Sequence, residues 1–370
     1  MKIKKCLFLS SALAVGLLTG SCSSEEAVPT DQITGGNTLT FSLSLPAGEK
    51  VGYTRADEIH TEDEFRINTL SIYEYKVADG KETLTRVLKS DAAGLNGFEL
   101  DKGSSNNHTI TIIVPSENIG SDFTYRFIAN DAVESPAIGS LFSSFQQTPA
   151  SLVLNEGNSA DALSNYGIAM TGVAKCDEKE VFTMAENLTC KVELTRIVSR
   201  IDISYETPNL KVTSVRLLNA PVSGPLFPQA LCQSVDDSDC IVLGRNAHTD
   251  LPTDFLRNEG KEKEEIKKAF YLYERQNSAE SSAIVRIEYE VSHGENGDKI
   301  YHGTVDVDFA KANGEYVAAE RNHLYNIILG NGKEPVAGEV KATLNVMDWI
   351  GVDIEDYLTP NDKEINNQAE

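Results

Sequence analysis

The sequence predicts an all-β chain built from antiparallel sandwiches, with few short helices. Three observations carry this expectation. Short segments of alternating apolar and polar residues recur along most of the chain, clusters of Gly, Pro, Asn and Asp separate them, and helical periodicity is confined to two short stretches. The 370 residues suffice for two domains, and 41% apolar residues supply material for real hydrophobic cores. A formal net charge of −23 argues against nucleic acid or anionic lipid headgroups as partners, because both require a basic footprint.

Residues 1–21 read as a secretory signal peptide. Lys2, Lys4 and Lys5 form a basic start, Leu7 to Leu18 is an apolar stretch too short for a permanent bilayer anchor, and small residues follow. Leu18-Thr19-Gly20-Ser21-Cys22 resembles a bacterial lipobox, although Leu18 stands one place further from the cysteine than usual. Acylation at Cys22 with more than one chain would anchor the protein stably to outer-membrane lipid. The alternative is a plain signal-peptidase cut that leaves a free thiol. Residues 22–37 are small and polar and read as a flexible tether.

Leu39, Phe41, Leu43 and Leu45 then alternate with Thr38, Thr40, Ser42 and Ser44, the pattern of a half-buried strand, which Pro46 closes. Ala47 to Glu64 is Gly- and charge-rich, reads as exposed loop, and contains Arg55-Ala56. Further strands are expected at 67–77, 83–88, 109–114, 123–129, 181–184, 190–198 and 201–205. In the second half they are expected at 212–218, 270–274, 283–291, 301–309, 323–329 and 340–349. The two helical stretches are Ser140 to Gln146 and Lys261 to Ala269. Asp202 to Pro208 is the best place for a domain join, and Arg196 and Arg200 near it either pair with carboxylates or line a solvated strand face.

Cys176, Cys190, Cys232 and Cys240 remain for an oxidising envelope, and four cysteines permit three connectivities. Pairing Cys176 with Cys190 and Cys232 with Cys240 needs the least chain rearrangement. No Cys-x-x-Cys pair exists and no histidine lies close to a cysteine, so a metal site is not expected. Phosphate-binding loops, dinucleotide fingerprints, zinc-protease and nucleophile-elbow motifs are all absent from the sequence. The expectation is a protein without catalytic residues or cofactor.

The ordered set of motifs is more specific than any one of them. Thr124-Tyr125-Arg126-Phe127-Ile128-Ala129-Asn130, Tyr166-Gly167-Ile168-Ala169-Met170-Thr171 and Leu194-Thr195-Arg196-Ile197-Val198-Ser199-Arg200 are followed by Glu320-Arg321-Asn322-His323 with Tyr325, Ile327 and Leu329. Ala342-Thr343-Leu344-Asn345-Val346 with Trp349 closes the set. In this order, and behind a lipobox, they resemble the fimbrillin family, the major fimbrial subunits of Bacteroidetes type V pili. Ser23-Ser24-Glu25-Glu26 looks like the surface-export signal of lipoproteins from that phylum. The acidic tail from Tyr357 and the cysteine pairs depart from the family pattern.

The resemblance implies two transthyretin-like sandwich domains in tandem, at 38–200 and 201–358, with a polar tail at 359–370. It also implies a role as a structural pilin: export as a surface lipoprotein, cleavage between Arg55 and Ala56 by an Arg-specific protease, and polymerisation by donor-strand exchange with other pilin subunits. Cleavage would make residues 22–55 a removable propeptide carrying Leu39, Phe41, Leu43 and Leu45. The replacing strand would lie within residues 340–355, where Val340, Ala342, Leu344, Val346, Ile350, Val352 and Ile354 share one parity. Adhesion to a host or bacterial surface receptor would follow from assembly into fimbriae. The alternative reading is a surface lipoprotein that does not polymerise and acts as a glycan- or protein-binding module.

Overall fold

The computed structural model describes residues 37–44, 64, 66–90, 92, 96–100, 107–150, 167–205, 209–221, 223–228, 240–246, 264–293, 299–311, 313–330 and 340–348. Cys22, Leu45, Arg55, Ala56, Cys232, Ile350, Val352 and Ile354 lie outside them. Residues from Asn37 onward form one compact unit. Strands dominate the described residues; the helix expected near 140–146 forms a single turn, α1 (Phe142–Phe145).

Nine strands build the first half: β1 (Asn37–Ser44), β2 (Leu70–Ala78), β3 (Lys81–Lys89), β4 (Asn107–Val114), β5 (Asp122–Ala129), β6 (Met170–Lys175), β7 (Phe182–Thr183), β8 (Leu188–Glu193) and β9 (Thr195–Arg196). Their order is β3-β2-β5-β6-β8-β1-β4, with β7 on β5 and β9 on β6. The corner is β6, which pairs with β5 through Met170–Val173 and with β8 through Ala174 and Lys175. It folds the sheet into two leaves. Leu39, Phe41 and Leu43 from one leaf and Leu70, Ile72, Phe123, Tyr125 and Phe127 from the other share a core.

Eight strands build the second half: β10 (Val198–Tyr205), β11 (Leu210–Pro221), β12 (Cys240–Asn246), β13 (Glu264–Tyr273), β14 (Ile284–His293), β15 (Lys299–Asp308), β16 (His323–Leu329) and β17 (Ala342–Asp348). They form two sheets, β13-β10-β16-β17 and β12-β11-β14-β15, over a core that includes Ile201, Val215, Phe270, Val285 and Ile327. This core extends to the outer face of β2 through Tyr73 and Tyr75, where Phe142 and Phe145 of α1 and Phe227 cover it. The division expected at residue 200 falls inside β10, which runs unbroken from Val198 to Tyr205.

One expected element is corrected. Residues 264–269, in the stretch that reads as helix, lie in β13, which pairs antiparallel with β10. The charged start favours helix in isolation, but the following Ala269-Phe270-Tyr271-Leu272-Tyr273 is fully buried and rich in strand-forming aromatics. Lys268 takes a left-handed φ of 55° opposite a register shift between Ile201 and Ile203. The Asp202 carboxylate accepts its N–H at 2.7 Å, so a side chain satisfies the backbone group at that irregularity. Strands β6 and β12 are additional to those expected.

Candidate assembly site

The alternating residues of β1 sit where their parity predicts: Leu39, Phe41 and Leu43 are buried. Antiparallel to β4 and parallel to β8, the strand places Phe41 between Ile110 and Cys190. Across the core, the Phe41 ring meets Phe127 edge-on at 4.9 Å and Tyr125 at 5.3 Å. Burying these three side chains contributes about 5–9 kcal/mol as an upper estimate. In the described sheet β4 pairs with β1 alone. Withdrawing β1 would therefore leave two open strand edges, those of β4 and β8, beside an apolar groove.

The walls of that groove are braced independently of β1. Glu74, buried on β2, accepts hydrogen bonds from Tyr125 Oη at 2.8 Å, Thr85 Oγ1 at 2.9 Å and Arg86 Nη2 at 2.6 Å. The same guanidinium donates through Nη1 to the Ile113 carbonyl of β4 at 3.0 Å. Burial first, and then the Glu74 carboxylate, push the Tyr125 hydroxyl well above its ordinary pKa, which keeps it a donor. On the other wall a disulfide joins Cys176 to Cys190, with Cα atoms 4.4 Å apart, and fastens β8 to the turn after β6. Cys240 begins β12, and its side chain lies outside the described residues.

Downstream of β1, a buried charge cluster surrounds Glu64. Arg200 Nη1 lies 2.9 Å from Glu64 Oε2, and its Nη2 lies 2.7 Å from Asp202 Oδ2. Tyr271 donates to Glu64 at 2.8 Å. Arg196 donates to the Glu64 carbonyl at 3.1 Å and to Asn322 Oδ1 at 2.9 Å. Burial opposes the charge on Arg200, but Asp202 and Glu64 outweigh it and hold the guanidinium above its ordinary pKa. Burial lowers Arg196 to about 10, against the pull of Glu64. Of the two placements open from sequence, pairing with carboxylates is the one found for Arg200, and Arg196 is buried against the Glu64 carbonyl and Asn322 rather than lining a solvated face.

In the second half, β17 is an edge strand among the described residues, where β16 is its one partner. Val340 and Leu344 are buried, Ala342 is half-buried, and Val346 is 43% exposed. On their shared parity Val340, Ala342 and Leu344 thus turn toward the core, whereas Val346 is left uncovered. Tyr289 Oη accepts the Val340 N–H at 3.0 Å. Its ring lies across Gly303, where any Cβ would come within 2.3 Å of it. Sequence reasoning did not single out Glu64, Glu74, Arg86 or Tyr289. For Glu74 a signal existed, because it shares parity with Leu70 and Ile72.

No family model matches the chain, and no curated protein matches it in sequence. Solved structures share its fold. A candidate cell adhesion protein from Parabacteroides distasonis aligns with 15% identity and a TM-score of 0.53, over 85% of this chain and 97% of that one. The tip fimbrial protein Mfa3 from Porphyromonas gingivalis, truncated at its C-terminus, aligns with 13% identity and a TM-score of 0.50, over 85% and 100%. A candidate cell adhesion protein from Bacteroides eggerthii gives 14% identity and a TM-score of 0.50, over 85% and 96%. The chain thus has the all-β fold of these fimbrial and adhesion proteins.

Proposed function

We propose that this protein is a non-catalytic subunit of surface fimbriae, exported as a lipoprotein through Cys22, cleaved after Arg55 and joined to neighbouring subunits by strand exchange. The observation that carries the reading is the position of β1. It is an interior strand of the first sandwich, flanked by β4 and β8, yet only the chain between Ser44 and Glu64 links it to the rest of the fold, and Arg55 lies in that connection. A cut there detaches the 34 residues from Cys22 to Arg55, including β1 and the lipid. The body is held from Glu64 onward by its pairing with Arg200.

The lipid keeps the precursor on the outer membrane until the Arg-specific protease acts. A strand from another subunit then enters beside β4 and β8, where backbone groups and an apolar groove are both unpaired. The donated strand comes from the C-terminal segment. Among the described strands β17 pairs with β16 alone, and its apolar face is partly exposed, so it is held less firmly than β1. Fimbriae assembled this way carry the chain away from the cell and present it to surface receptors. The fold shared with a tip fimbrial protein and with candidate adhesion proteins supports this reading.

An Arg55→Ala variant tests it. The precursor is expected to fold, remain membrane-bound and yield no filaments by negative-stain microscopy, whereas the parent assembles. Filaments of normal abundance from Arg55→Ala would refute processing at this bond as the trigger.

A further inference from the structure

We propose that the groove vacated by β1 selects a strand with an aromatic residue between two aliphatic ones, and that its natural occupant is therefore a different subunit rather than a second copy of this chain. The inference rests on the strand-exchange reading above. β1 is the template for any replacement, because it shows what the groove holds when filled. Its three inward positions are Leu39, Phe41 and Leu43, each 1% exposed or less. The central one has directional chemistry as well as volume. Phe41 meets the Phe127 ring at 4.9 Å with planes 78° apart, and the Tyr125 ring at 5.3 Å with planes 56° apart. Edge-to-face contacts of this kind add to what area burial alone contributes.

The pocket does not depend on Phe41 for its shape. Tyr125 is fixed through its hydroxyl to Glu74, and Glu74 is fixed to Arg86, which also reaches β4. Cys190, opposite Phe41 on β8, is held by its disulfide to Cys176. A braced pocket of aromatic size cannot collapse around a smaller side chain, and an unfilled volume costs binding.

The chain's own C-terminal segment lacks the required pattern in every register. On one parity it offers Val340, Ala342, Leu344 and Val346, then Ile350, Val352 and Ile354, none of them aromatic. On the other parity Trp349 stands between Met347 and Gly351, so one flank is empty. Tyr357 stands between Glu355 and Thr359, so neither flank is aliphatic. A partner strand reading aliphatic–aromatic–aliphatic at alternate positions fits; this chain's own strand leaves the centre underfilled.

The test uses the full chain cut after Arg55, with release of residues 22–55 verified by mass. Four fluorescently labelled peptides are titrated by anisotropy: residues 37–45, residues 340–355, and residues 340–355 carrying either Leu344→Phe or Val352→Phe. The peptide of residues 37–45 and at least one Phe variant should bind about tenfold more tightly than the native C-terminal peptide, equivalent to about 1.4 kcal/mol. Equal affinity of the native C-terminal peptide and the other three would overturn the selectivity while leaving strand exchange intact. Failure of all four to bind, residues 37–45 included, would overturn the strand-exchange reading itself, and the selectivity with it.

Discussion

Arg200 shows how much a single buried side chain holds here. Its guanidinium neutralises two carboxylates, Glu64 from far upstream and Asp202 from two residues along the same strand. Removing one member of a buried ion pair leaves the other charge uncompensated, which costs about 3–5 kcal/mol. Arg200→Leu should lower the unfolding free energy by that amount in urea titrations; a loss below about 1 kcal/mol would mean that water compensates the cluster. The buried tyrosines make a second residue-scale prediction. Burial raises the pKa of Tyr73, Tyr75, Tyr125, Tyr271, Tyr273 and Tyr325 above the ordinary tyrosine value of about 10. Above pH 10 the unfolded chain loses these protons while the folded chain keeps them. Stability is therefore intact below pH 10 and falls as pH rises, by up to about 1.4 kcal/mol per unit for each tyrosine. Denaturation midpoints followed from pH 8 to 11 should drop steeply only beyond pH 10, together with the tyrosinate absorbance of the unfolded form.

At the scale of elements, β1 and the disulfide play opposite parts. In the proposed assembly the strand is withdrawn, and the crosslink holds the wall beside it. Cys176 and Cys190 are 14 residues apart in sequence, and closing a loop of that length restricts the unfolded chain by about 3 kcal/mol. Replacing both with alanine should cost that much in thermal or chemical unfolding, and should speed amide exchange in β8 more than in β2. The elements also show where sequence is legible. Strict alternation marks β1 correctly because one of its faces is buried and the other polar. Residues 264–269, the start of β13, read as helix because Glu and Lys dominate them; pairing with β10, the carboxylate of Asp202 and the buried aromatic run that follows make them a strand. β6 is hidden by Gly172, which in isolation reads as a break. In the fold, a Cβ there would lie 2.7 Å from the Glu193 carbonyl, so glycine is what lets β6 turn the corner. The parity of Glu74 announces an inward carboxylate, but its partners Thr85, Arg86 and Tyr125 come from other strands, and no local pattern reveals them.

For the whole molecule, β1 completes the first half of the fold between β4 and β8, and the proposed assembly requires that it leave. In the second sandwich β10 lies antiparallel to β13 and parallel to β16, just as β1 lies between β4 and β8 in the first. Yet β10 is continuous with the chain on both sides and anchors the Arg200 cluster, whereas β1 is tethered on one side by a segment containing Arg55. The two halves thus hold corresponding strands in the same arrangement, and in the proposed assembly only β1 is removed. The direct test is to lock that strand. Thr40 and Thr111 are opposite one another on β1 and β4, with hydroxyl oxygens 3.2 Å apart on the exposed face. A Thr40→Cys, Thr111→Cys variant can staple β1 to β4 after the cut at Arg55. The measurement is filament yield from cells that carry the cut, stapled protein alongside the other fimbrial subunits, before and after mild reduction. The account predicts no filaments while the staple is oxidised and parental yield once it is reduced; assembly of the oxidised protein at the parental level would contradict it.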